Sequence, residues 1–381
     1  MGLGLLVVVL IGVGWRGLGG DQRDLVARQN QPLSARHLLA GTDATGYARA
    51  VSPRPFTFPQ DHAAHPDYRH EWWYLTGNLQ DAQGRRYGYQ FTLFRYALQP
   101  AETGGESAWR TRQIYMGHLA VTDVASGRFH SFQRFARGAL GLAGTGIDPL
   151  RIWLEDWELG AENEASPWRV RAAEGEFAID LALTPTKPIV LQGESGLSRK
   201  GSEPGNASYY YSLPRLATRG RITLGGEPLA VAGLSWLDRE WGTSVLGSKV
   251  AGWDWFALQL DDGRDLMLYH LRRTDGTLDA HSAGVLVDAG GNAVALALRP
   301  ESLAVTRTWV SPRTGIEYPA GWRLHLPEHG LDLIVQPLVA AQEWNQAVRY
   351  WEGAVAVRGG SGTGGMTGSG YAELTGYAKN D

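Results

Sequence analysis

Gly233-Leu234-Ser235-Trp236-Leu237-Asp238-Arg239-Glu240-Trp241-Gly242 lies past the middle of the chain and packs two acids, an arginine and two tryptophans into six consecutive positions. On a β-strand, successive side chains point to opposite faces. Leu234, Trp236, Asp238 and Glu240 therefore share one face, and Ser235, Leu237, Arg239 and Trp241 share the other. Carboxyls beside large aromatics sit against apolar surface, where desolvation raises a pKa and makes a proton donor.

Outward from this stretch the same period of two recurs. Tyr87, Tyr89, Phe91 and Leu93 alternate with Gly88, Gln90 and Thr92, and Phe177, Ile179, Leu181 and Leu183 alternate around Asp180. The spacing predicts further strands over 114–123, 129–137, 151–159 and 168–173. Turns fall at Asp81-Ala82-Gln83-Gly84 and Gly225-Gly226. No long amphipathic helix interrupts the series, so the fold class is all-β and antiparallel. Fifty glycines and 15 tryptophans fit many short strands joined by tight turns.

Composition narrows the function. A net charge of −3 lacks the basic footprint that nucleic acid requires. The absence of cysteine removes disulfides, thiolate metal sites and a cysteine nucleophile. His62, His65 and His70 fall close together, but their spacing matches no usual zinc pattern, and neither a metal nor another cofactor is expected. His118, on the face of Met116 and Ala120, reads as a satisfied core histidine. There is no G-x-S-x-G elbow, H-E-x-x-H pair or Walker loop.

At the N-terminus, Met1 to Val13 is an apolar run too short to span a bilayer and suited to an export signal. Residues 1–20 read as a signal or anchor segment and 21–54 as a linker. The expected location is thus exported, either periplasmic or anchored at the membrane. Two β-domains follow, over 55–244 and 245–381, because the second half echoes the first. Asp254-Trp255-Phe256-Ala257-Leu258 matches Glu71-Trp72-Trp73-Tyr74-Leu75, and Asp261-Asp262-Gly263-Arg264 matches the turn at Asp81. Near the end, Tyr371 stands where Trp236 does and Glu373 where Asp238 does. Pro185 to Asn206, between the two halves of the first domain, is a long irregular insert, a length usually reserved for function or motion.

His65-Pro66-Asp67-Tyr68-Arg69 running into Glu71-Trp72-Trp73-Tyr74, the Trp236–Trp241 stretch, and Gly370-Tyr371-Ala372-Glu373-Leu374-Thr375-Gly376-Tyr377 resemble the AttH and carotenoid 1,2-hydratase group. The resemblance spans roughly residues 50 to 380. It implies two tandem lipocalin-like antiparallel β-barrels. In the hydratase branch the catalytic set is a His and a Trp on one strand and a Tyr and an Asp on a later one. These positions fall here on Tyr209, Tyr211, Trp236 and Asp238, of which only the aspartate is the same residue type.

Three functions stay open. The first is an exported protein that binds an apolar lipid or isoprenoid-type molecule in a barrel cavity. Its expected contacts are the acid–aromatic clusters: Glu71, Trp72, Trp73, Glu240, Trp241, Asp254 and Trp255. The second is a hydratase-type enzyme that uses Asp238 as general acid on a double bond of such a ligand. The third is an accessory subunit of a membrane complex, with Asp238, Arg239 and Glu240 forming ion pairs that fasten the barrels together.

Overall fold

A computed structural model describes residues 33–34, 44–100, 107–163, 166–243, 247, 249–360 and 365–378. The 1–20 segment, most of the 21–54 linker and residues 244–246 of the connection between the two halves lie outside these. The described residues form antiparallel strands with short 3-10 turns and no α-helix. Among these residues only Leu33–Ser34 pairs in parallel, with Val348–Arg349.

The strands make two sheets with one plan. In the first, the Glu227–Gly242 strand is central. On one side lie His70–Asp81, Arg86–Ala97, Gln113–Asp123 and Arg128–Arg137; on the other lie Ala207–Leu224, Phe177–Pro185, Trp168–Glu174 and Trp157–Ala161. In the second, Thr367–Leu374 takes the central place. It is flanked by Val250–Leu260, Asp265–Arg273, Ala283–Val287 and Ala293–Ala295 on one side, and by Val348–Gly359, Leu331–Pro337, Glu317–Leu326 and Leu303–Val310 on the other. The sequence echo is thus a repeat of topology. The first sheet adds two edge strands, Leu150–Leu154 and Ala143–Ile147. The single strand expected over 151–159 is two strands, because Glu155, with φ +56°, and Asp156 turn the chain back.

Turn chemistry sets the hairpins. Gly225 and Gly226, at φ +58° and +81°, close the tight turn that leads into the central strand. The Asp81 carboxylate accepts from the backbone N–H groups of Gln83 and Arg85 at 3.0 and 2.9 Å, holding the equivalent turn of the first hairpin.

Each sheet curls around its own core. Trp73, Leu75, Tyr89, Phe91, Tyr211 and Trp241 fill the first, and Phe256, Leu268, Trp322, Trp351 and Leu374 the second. Arg134, near one end of the first sheet, donates to Glu174 and the Ala173 carbonyl near the other end, bringing the curl toward closure. The described part of the expected linker is not free: Ala50 is buried in the first core, and the Ser52 carbonyl accepts from Tyr209.

The outer faces of the two sheets pack on one another. A third cluster joins Tyr74, Tyr210 and Trp236 to Trp255, Tyr269 and Tyr371. Simple half-buried alternation therefore holds only for outer strands such as Phe177–Pro185; the central strands are buried on both faces. Contact is close enough that a Cβ on Gly88 would lie 2.5 Å from the Ala354 methyl. Asp265 of the second sheet anchors the joint, facing Lys187 at 2.7 Å and Arg215 at 2.8 Å.

Candidate functional site

The Glu227–Gly242 strand carries the face parity that its sequence dictates. Leu237, Arg239 and Trp241 point into the first barrel, while Trp236, Asp238 and Glu240 point to the joint. The neighbouring strand does not follow the simple rule. From the Gly225–Gly226 turn, Leu224 pairs with Glu227 and Leu216 with Ser235; beyond a bulge, Leu213 pairs with Leu237. One extra residue at Pro214-Arg215 reverses the parity, since a bulge sets two residues against one. Tyr210 and Ser212 therefore share the face of Asp238, and Tyr209 and Tyr211 turn into the barrel core. The catalytic positions expected at Tyr209 and Tyr211 are corrected on this ground. Tyr209 bonds the Ser52 carbonyl and Tyr211 bonds His62 at 2.5 Å, both away from Asp238. A proline inside a long strand was the sequence signal, because it cannot donate to the ladder.

Three neutral donors converge on Asp238: Ser212 Oγ at 2.5 Å, Trp236 Nε1 at 2.6 Å and the Tyr210 hydroxyl. Trp255 of the second barrel donates in turn to the Tyr210 oxygen at 3.3 Å. Burial pushes the Asp238 carboxyl up to about 7; the three hydrogen bonds pull the other way, and the charge of Glu240 adds to the rise. A pKa near neutrality is the range that suits a general acid or base.

Asp238 faces a cavity of about 150 Å³ between the barrels, open to solvent at its mouth. An apolar cavity of that volume takes up a benzene-sized group. The first barrel lines it with Trp72, Tyr74, Phe94, Tyr96, Met116, His118, Tyr210, Asp238 and Glu240; the second lines it with Trp253, Trp255, Tyr269, Leu271, Val348, Tyr350 and Glu373. Lys200 enters from the Pro185–Asn206 insert, whose short Leu197–Arg199 strand pairs with the tyrosine strand. Its ammonium lies 3.2 Å from Glu240 and 4.2 Å from the centre of the Tyr269 ring. His118 bonds Tyr350 at 2.6 Å and Gln133 at 2.7 Å, and burial pushes its pKa down to about 3, so the imidazole is neutral. Lys200, His118, Tyr210 and Glu373 were not among the expected site residues.

The expected ligand contacts divide. Trp72, Glu240 and Trp255 line the cavity. Glu71, Trp73 and Trp241 belong instead to the packed interior of the first barrel, which corrects the expectation of a ligand there. Glu71 is paired with Arg95 and Arg239, whose guanidinium lies 4.0 Å from the Trp73 ring centre. Trp241 stacks on His65 at 3.8 Å. Burial raises the Glu71 pKa, but the two guanidiniums outweigh it and hold the carboxyl well below its ordinary range. Asp254 faces away from the cavity, bonded to Arg272 at 2.9 Å and to the Tyr377 hydroxyl. Arg239 thus serves the core, and among the described residues the ion pairs that cross the joint are those of Asp265 with Lys187 and Arg215.

The model of the AttH-like family matches residues 49–377. The crystal structure of an AttH candidate from Nitrosomonas europaea is 36% identical, covers 87% of this chain and all of its own, and superposes with a TM-score of 0.76. Kievitone hydratase from Nectria haematococca is 17% identical over 91% of this chain and 98% of its own, with a TM-score of 0.64. CghA, crystallised with Sch210972, is 12% identical over 90% and 97%, at 0.52. The last two likenesses are of fold alone. No curated protein sequence matches the chain.

Proposed function

The chain belongs to the AttH-like family, and from that premise we propose that it takes a largely apolar small molecule into the cavity between its barrels, where Asp238 exchanges a proton with it. One observation carries this reading: a buried carboxyl with no cation beside it among the described residues opens onto an aromatic-lined apolar cavity. Glu71, by contrast, is neutralised in the packed core by two guanidiniums.

The chemistry that suits the geometry is hydration or dehydration at a carbon–carbon double bond. The Asp238 proton adds to one alkene carbon, and the cation left on the other is sheltered by the faces of Trp72, Trp255 and Tyr210. Water then adds its oxygen to that carbon and returns a proton to the Asp238 carboxylate, so atoms and charge balance. Tyr210, Ser212 and Trp236 orient the carboxyl and stabilise its anion between the two steps. The fold shared with kievitone hydratase is compatible with this chemistry, but the reading rests on Asp238.

Organic extraction of the purified protein followed by mass spectrometry tests the binding half. A stoichiometric apolar compound is expected, and Trp255→Ala, which opens the cavity wall, should lose it. Incubating that compound in ¹⁸O-labelled water tests the chemistry: label is incorporated by the parent and not by Asp238→Asn. Extracts without any bound compound, together with failure of the protein to take up apolar probes, would refute the proposal.

A further inference from the structure

The cavity is built from two equivalent halves, and only one is supplied with a cation. On the ladder, Glu240 stands opposite Trp72 and Glu373 opposite Trp255, the same positions in the two copies of the repeat. The other cross-strand neighbour of Glu240 is Tyr210 and that of Glu373 is Glu352, again equivalent positions. In the first half an ammonium completes the arrangement: Lys200 Nζ lies 3.2 Å from Glu240, 4.2 Å from the Tyr269 ring centre and 5.4 Å from that of Tyr210. An acid with aromatic faces is the environment in which a cation is held.

The second half has the acids and the aromatics. Glu373 accepts from Trp253 Nε1 at 2.7 Å and faces no cation among the described residues. Glu352 is 1% exposed, and neither of its oxygens accepts a well-formed hydrogen bond, although the Tyr74 and Tyr350 hydroxyls face it. The Tyr74 hydroxyl, on a cavity-lining ring that is 5% exposed, likewise makes no well-formed hydrogen bond and has Glu352 facing it. Two carboxyls directly opposite each other on a strand pair repel. A buried pair of this kind is settled by a proton or by a cation.

We propose that the molecule bound in this cavity carries a protonated or quaternary amine, seated beside Glu373, with Glu352 buried behind it, against the faces of Trp253, Trp255 and Tyr74, as the counterpart of Lys200 beside Glu240. The proposal rests on the reading of the cavity as a small-molecule site and adds the chemical class of the ligand's polar end. When no cation is present the acids keep protons, Glu373 being pushed up to about 7 by burial and by the charges of Glu240 and Asp238. Glu352 is held well above its ordinary range by burial and by Glu373. The groups facing Glu373 are thus Asp238, Glu240, Glu352 and the tyrosines Tyr74 and Tyr350, with Lys200 committed to Glu240. A cation draws Glu373 into its ionised form, so amine affinity rises with pH through the neutral range.

Calorimetric titration with octyltrimethylammonium and with octanol tests this, because the two share a chain and the ammonium charge does not vary with pH. The ammonium is expected to bind about tenfold more tightly than the alcohol at pH 8.5, with the preference shrinking at pH 6. Glu373→Gln should remove most of the preference and leave octanol binding in place. Lys200→Met, which frees Glu240, should strengthen ammonium binding. Equal affinity for the two probes at pH 8.5, or a preference that survives both Glu373→Gln and Glu352→Gln, would overturn the amine proposal while the small-molecule site stands. Binding of neither probe by the parent would overturn the site and the amine proposal together.

Discussion

Glu71 and Asp238 lie on adjacent strands of one sheet, are buried to almost the same extent, and have opposite fates. Glu71 points into the first barrel and meets two guanidiniums; Asp238 points to the joint and meets three neutral donors. Burial raises both pKa values. Full charges reverse the effect for Glu71, while hydroxyl and indole dipoles only moderate it for Asp238. The difference is between a carboxylate that holds a fold and a carboxyl able to give up its proton, and it comes from what faces each group, since burial is common to both.

Removing the paired acid should have the largest effect. Glu71→Gln leaves Arg95 and Arg239 buried without their counter-ion and should cost about 3–5 kcal/mol in denaturant unfolding. The Glu71 pKa is depressed in the fold, so its contribution is present above the unfolded value of about 4.5 and lost as pH falls through the folded one. The acid side of the parent's stability profile should therefore flatten in Glu71→Gln.

Asp238→Asn should do much less to stability, about 1 kcal/mol or less at pH 8, while abolishing proton transfer to the ligand. Here the sign is opposite. The folded pKa of about 7 lies above the unfolded value of 3.8, so the proton favours the fold at low pH, and that contribution is lost as pH rises through 7. Relative to the parent, the variant should gain stability between pH 5 and pH 8. Thermal melts of the two proteins at both values check this; a large loss at pH 8 that shrinks on acidification would assign Asp238 to architecture.

The tyrosines sharpen the comparison with a smaller effect. Tyr210→Phe removes a hydrogen bond to the charged form and should raise the Asp238 pKa further, moving the pH optimum of any turnover upward. Tyr211→Phe loses its bond to His62, at about 1 kcal/mol, and should leave the Asp238 titration in place. Tyr209→Phe should leave it unchanged as well.

That last contrast marks where sequence reading reached its limit. The parity of Trp236, Asp238 and Glu240 was legible, because it depends only on a strand's period of two. The parity of Tyr209, Tyr210 and Tyr211 relative to Asp238 depends on pairing register, and the bulge at Pro214-Arg215 changes it by one residue. The repeat was legible from its acid–aromatic starts, yet matching Glu373 to Asp238 misaligned it by two positions. With Glu71 and Asp254 equivalent, the ladder sets Glu373 at the place of Glu240 and Tyr371 at the place of Asp238. Glu71 stood out as an acid that packing did not explain, but Arg95 and Arg239, its partners, come from other strands. The cavity was beyond reach, since the alternation within a strand says nothing about which outer face meets another sheet.

The central claim is that Asp238 titrates near neutrality inside the folded protein. Carbon-13 NMR of labelled aspartate carboxyls, with Asp238 assigned by its absence in Asp238→Asn, measures this directly across pH 3 to 9. A midpoint near 7 is expected. A midpoint at or below about 4, the ordinary aspartate range, would contradict the account.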